Sequence, residues 1–263
     1  MTTFNLSIEE VAFALGYVGG ADTAAGFLST LIGQRSADEL AGRLTAAGHS
    51  LIARGLLVPA PASPGATLAS ELRQAAESMV KGDNVLRVTV TAAERDQVVT
   101  FFMSNSGAIR HELNHGVVSE LVLLPNIESV QRSIANLIAP DRISSGATEP
   151  VGRMNAAQLR ELRQKAGNAS PAELASWLAG SLPFHIATRI STVMSDAAST
   201  WSATLQLVTN EIGSVESNRG IFTVFMPEEG WLFDMSNDPS FAEVYLLDRD
   251  IAASAVGRLM KAN

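Results

Sequence analysis

Apolar residues recur at helical spacing early in the chain, switch to alternation after residue 84, and then repeat that change of period after residue 153. Ile8, Val11, Ala12 and Leu15 make one stripe of a helix over Ser7 to Val18. Ser7 caps it, Glu10 stands three residues on as in a capping box, and Gly19 and Gly20 end it. A second helix is expected over Thr23 to Ile32. A third starts at Ser36, carries Leu40, Leu44, Leu51 and Ile52, and stops near Gly55. Pro59 to Gly65 reads as an exposed loop, and Leu68 to Val80 returns to helical period.

Strands follow. Leu86, Val88 and Val90 alternate with Arg87 and Thr89, the pattern of a half-buried strand. Val98 to Met103, Ile109 to Leu113 and Val117 to Leu124 extend this into an antiparallel meander, with turns at Gly82 to Asn84 and Ser104 to Gly107. Asn126 caps a closing helix. Beyond it, Asn155 to Ala166 is a basic amphipathic helix. Ser170, Pro171 and Glu173 start another, which is expected to run past a break at Pro183 to about Ala198.

The stretch from Trp201 to Ala262 repeats the plan of Val85 to Ala139: strands, then one amphipathic helix. The best anchors are FFMSNSG against VFMPEEG and SELVLLPN against AEVYLLDR. The expected fold class is therefore α+β, in two pseudo-twofold halves, each with helices leading into an antiparallel sheet and a closing helix. The halves are placed at residues 1–140 and 153–263, with 141–152 as linker.

Composition narrows the function. The 263 residues are 46% hydrophobic and 17% charged, with formal net charge -8. An acidic chain is a poor partner for nucleic acid or an anionic membrane, because both attractions rest on Lys and Arg. Cysteine is absent, which excludes disulfides, thiolate metal sites and cysteine nucleophiles. There is no apolar run long enough to span a bilayer and no secretory leader pattern, so a soluble cytoplasmic protein is expected.

His111-Glu112-Leu113-Asn114-His115 satisfies H-E-x-x-H. On a helix, His111 and His115 would bind zinc from adjacent turns, Glu112 would activate the metal-bound water, and Glu120 is the candidate third ligand. The context is strand-like. On a strand the two histidines sit about 13 Å apart and Glu112 points to the other face. The preferred reading is thus two exposed strand histidines, with no catalytic residue and no cofactor. The alternative is a zinc-dependent hydrolase using Glu112.

Other signals are weaker. The segment LTAAGHSLIARGLLV resembles the last helix of a winged-helix module running into its wing, but Arg43 and Arg54 are too few for a DNA-reading face. Glu228, Glu229, Asp234 and Asp238 lack the spacing of a calcium loop and read as a solvated acidic edge. Among Trp177, Phe184, Trp201 and Trp231, the best candidate for an exposed partner anchor is Trp231, beside its turn and followed by Phe233.

Arg219-Gly220-Ile221-Phe222-Thr223-Val224, the turn through Glu229-Gly230-Trp231, and AEVYLLDRDIAASAVGRLM resemble the end of the EspG family of type VII secretion-associated proteins. SIEEVAFALG resembles that family's opening. The likeness is one of plan over most of the chain and of residues over roughly the last 45. It implies a cytosolic chaperone or adaptor that holds a helical secretion substrate. A regulator built on the winged-helix-like segment is a further alternative.

Overall fold

A computed structural model describes residues 2–60, 65–82, 84–92, 95–104, 107–139, 148–166, 168–196, 200–209, 219–226 and 228–261. In chain order the elements are β1 (Thr3–Ser7), α1 (Ile8–Gly19), α2 (Ala21–Ile32), α3 (Ala37–Ala53), β2 (Leu57–Pro59), β3 (Ala66–Leu68), α4 (Ser70–Lys81) and β4 (Asn84–Ala92). Next come β5 (Arg95–Ser104), β6 (Gly107–Asn114), β7 (Val118–Leu124), α5 (Ile127–Ile138), β8 (Gly152–Asn155), α6 (Ala156–Ala166), α7 (Pro171–Leu178) and α8 (Phe184–Ser195). The chain closes with β9 (Trp201–Thr209), β10 (Gly220–Phe225), β11 (Gly230–Asp234), β12 (Phe241–Leu246) and α9 (Arg249–Lys261). The fold is α+β, and the strand pairings resolved in it are antiparallel.

Two compact units divide the chain. One holds Met1–Val85 and Val99–Ile127, the other Leu86–Val98 and Glu128–Asn263. These differ from the halves 1–140 and 153–263 read along the sequence, because β4 and nearly all of α5 pack within the second unit. Residues 141–147 of the expected linker, 61–64 of the proline-rich loop, and Asp83, Asn105 and Ser106 of the expected turns lie outside the described residues.

In the first unit β1, β7, β6 and the end of β5 pair in that order. Leu6, Ile109 and Leu121 face Val11, Leu15, Leu51, Leu72 and Ala75 of the helices, and this is the unit's principal core. A second cluster seats Leu113 against Ile8, Ala12, Ala24 and Leu28. Burial of such side chains contributes about 1.5–3 kcal/mol each. Strands β2 and β3 make a separate hairpin after α3.

The second unit orders its strands β4, β9, β10, β11, β12 and β8. Helices α6, α7 and α8 cover one face through Leu159, Leu162, Leu174, Leu178, Ile186 and Ile190, set against Phe222, Val224, Trp231, Phe233 and Val244. On α9, a Cβ added at Gly257 would lie 2.9 Å from the Gln131 side chain of α5. Helix α5 and α9 are also joined by a hydrogen bond from Arg249 to Asn136.

The repeat runs deeper than the meander. Each copy begins with a short strand that the hydrophobic pattern does not reveal: β1 pairs with β7, and β8 pairs with β12. Each such strand ends in a reciprocal cap. Ser7 Oγ accepts from Glu10 N at 3.1 Å while Ser7 N donates to Glu10 at 2.8 Å. Asn155 and Gln158 do the same at 2.8 and 3.1 Å. The helical region expected from Ser170 with a break at Pro183 is two helices: α7 already ends at Leu178, and Pro183, with ψ of 138°, is the N-cap of α8.

Candidate functional site

The H-E-x-x-H residues lie on β6 and in the turn that follows it, so the backbone is extended over 107–114. Side chains alternate between faces. His111 points to the helix-covered side and Glu112 to the opposite side. His111 is half-buried: its Nε2 is 3.0 Å from Ser119 Oγ, and its ring lies 6.4 Å from that of Phe27 on α2. Burial pushes its pKa down to about 4, so it is neutral at physiological pH. The expectation of an exposed histidine here is corrected; α2 covers it.

His115 is exposed in the β6–β7 turn, with φ of 53°, followed by Gly116 at 72°. Consecutive positive φ values are the signature of a primed hairpin turn, which Gly116 makes accessible. Val117 N closes it on Asn114 O at 3.2 Å. His111 and His115 therefore do not converge.

Glu112 and Glu120, the candidate base and third ligand, are brought together instead. They are direct cross-strand partners. Arg110 sits between them, donating to Glu120 Oε1 at 2.8 Å and forming a short bond to Glu112. Among the described residues, no group of three His, Asp or Glu side chains is placed to hold a metal ion.

The remaining candidates are also relocated. Trp231 and Phe233 are fully buried, so the expected exposed anchor at Trp231 is corrected: every position of β11 is enclosed, on both faces. Trp231 Nε1 donates to Glu229 at 3.1 Å, and Arg189 lies over the indole at 5.2 Å. Phe233 packs against Phe222 at 5.6 Å. Among the described residues the large exposed aromatics of this unit are Phe184 at 68%, Trp201 at 48%, which is stacked on Phe225, and Phe241, which lies under the Arg153 guanidinium. Phe184 and Trp201 stood among the sequence candidates and Phe241 did not, since exposure depends on what covers a side chain and not on local spacing.

The acidic edge is corrected for Asp234, which is buried and bonded to Arg258 at 2.5 Å. Asp238 pairs with Arg153 and Glu229 with Arg189. In the winged-helix-like segment, Arg43 is engaged by Glu9 and Glu39, and Arg54 by Glu10. Both guanidiniums thus face carboxylates. Among the described residues no helix is long and apolar enough to cross a membrane.

No protein-family model and no curated protein matches the chain. Among solved structures it is similar to the type VII secretion system chaperone EspG5 of Mycobacterium tuberculosis, solved in complex with the PE25-PPE41 dimer. The similarity has a TM-score of 0.65 at 8% sequence identity, and covers 99% of this chain and 96% of that one. At that identity the likeness is one of fold. It bears on the whole repeated architecture and not merely on the C-terminal segment that first suggested it.

Proposed function

We propose that this protein is a non-enzymatic, cytoplasmic adaptor or chaperone whose partner is another protein, with a helical secretion substrate as the partner class. The observation that carries the reading is the similarity in fold, along nearly the full length of both chains, to a chaperone captured with a bound protein dimer. The separation of His111, Glu112 and His115 supports it from the other side, because a zincin needs both imidazoles on one helical face. Phe184 and Trp201 supply exposed aromatic surface of the kind that anchors protein interfaces.

Affinity purification from the native host tests this. A stoichiometric protein partner is expected, and its recovery should fall in Phe184→Ser or Trp201→Ser protein of unchanged melting temperature. Recovery of no stoichiometric partner under gentle conditions, across several growth states, overturns the reading.

A further inference from the structure

A cavity of about 230 Å³ opens in the second unit between α6 and the sheet. Arg160, Arg163 and Arg219 line it, together with Thr204, Gln206 and Phe222, and among the described residues no Asp or Glu does. In a chain with 27 acidic and 19 basic residues, three arginines around one cavity form a local field opposite to that of the whole molecule.

Neighbouring cations are treated differently. Arg153, Lys165, Arg189 and Arg258 of the same unit each meet a carboxylate. Among the described residues Arg160 and Arg163 meet none. They stand three apart on α6, so they share one side of the helix. The Arg163 guanidinium lies 5.0 Å from the centre of the Phe222 ring, which holds its fork over the sheet.

We infer that this cavity receives the carboxylate side chains of an acidic peptide segment presented by a partner protein. Paired guanidinium forks match carboxylate geometry. Thr204 and Gln206 add neutral polar groups on the sheet side. Leu159, Phe222 and Met235 contribute apolar wall, which a bare inorganic anion does not use but an acidic residue beside an apolar one does. The inference rests on the reading that the chain binds another protein, and it names the chemistry of one contact.

Fluorescence anisotropy on the full chain tests it. The probes are a short labelled peptide alternating Asp and Leu and its counterpart alternating Asn and Leu. The acidic peptide is expected to bind roughly tenfold more tightly at low salt and to weaken as salt rises. In the Arg160→Gln, Arg163→Gln double variant, with circular dichroism unchanged, that preference is lost. Because both arginine side chains are solvent-exposed at the cavity mouth, the variant is expected to fold. Equal binding of the two peptides, or an unchanged preference in the variant, overturns the inference. So does displacement of the peptide by inorganic phosphate at equal affinity, which makes the cavity a free-anion site. A failed peptide experiment alongside a recovered host partner removes the cavity assignment alone. Peptide binding with no host partner removes the adaptor reading instead.

Discussion

Glu112 stands directly across from Glu120 on the neighbouring strand, and Arg110 bridges the two carboxylates. Like charges opposite one another in a sheet are destabilising, and Glu112 is only 7% exposed. Removing the guanidinium takes one partner from a buried carboxylate that faces a second one. Arg110→Ala is therefore expected to cost about 2 kcal/mol in urea unfolding. Adding Glu120→Gln to that variant should recover part of the loss. Equal stability of Arg110→Ala and wild type shows that the cluster is solvated and contributes little.

The same relationship recurs in the second copy, and it shows what the sequence reveals and what it hides. Asp234 faces Glu243 across β11 and β12, with Arg258 on the first carboxylate and the Tyr245 hydroxyl donating to the second at 2.8 Å. The anchor SELVLLPN against AEVYLLDR sets Glu120 against Glu243, and the structure agrees. FFMSNSG against VFMPEEG is one residue out. Phe102 faces the helices of its unit as Val224 does, whereas the alignment matches Phe102 to Phe225. Glu112 and Glu120 are 8 residues apart, whereas Asp234 and Glu243 are 9 apart, so the β11–β12 connection is one residue longer than the β6–β7 one; a single offset cannot fit both sides of it, and a slip of one exchanges faces. The proper counterpart of Asp234 is Glu112, not His111. Helices and the first meander were legible because each favours one buried face and so carries a period, whereas β10 and β11 are buried on both faces and read as short apolar runs between turns. Strands β1 and β8 are five and four residues long, too short to show one. Trp231 misleads because a turn predicts local exposure, while its burial is decided by α8 arriving from elsewhere in the chain.

Glu10 joins two helices. It completes the cap of α1, accepts from Ser50 Oγ at 2.7 Å, and takes both Arg54 contacts at 3.0 and 2.8 Å from α3 and its cap. Burial pushes its pKa up, but the bonds from Ser50, the Ser7 backbone and Arg54 outweigh it, so the value falls below the ordinary 4.5. A carboxyl depressed in the folded state adds stability above its unfolded pKa and loses it as pH falls through the folded one. Arg54→Ala is expected to lower stability by about 2 kcal/mol at neutral pH. It should also move the onset of acid unfolding upward. Chemical denaturation from pH 7 to pH 3 checks both, and superimposable profiles refute the coupling.

His111 imposes the opposite kind of limit. In the unfolded chain it protonates near 6.5, while in the folded protein burial holds it to about 4. Between those values the unfolded state binds the extra proton, so stability falls as pH drops through the window, by up to about 3 kcal/mol in all. His111→Gln removes the titration and retains a polar group near Ser119. Its stability relative to wild type is expected to rise steadily from pH 6.5 down to pH 4. Parallel pH profiles for the two proteins show that His111 titrates freely in the folded state.

His115 separates the turn from the metal site most sharply. Its φ of 53° costs an L residue about 1–2 kcal/mol in left-handed backbone, and its imidazole is exposed. Glycine takes that conformation without steric cost, at the expense of a more disordered unfolded chain. His115→Gly is therefore expected to be neutral or to stabilise by about 0.5 kcal/mol. His115→Val, β-branched at the same φ, should destabilise by more than 1 kcal/mol, roughly. A zinc ligand behaves otherwise: both substitutions then lower stability together and release metal. Melting temperatures of the two variants, read beside the zinc content of untagged protein, decide between a hairpin residue and a ligand. Loss of stability and of zinc in His115→Gly restores the hydrolase reading in place of the adaptor.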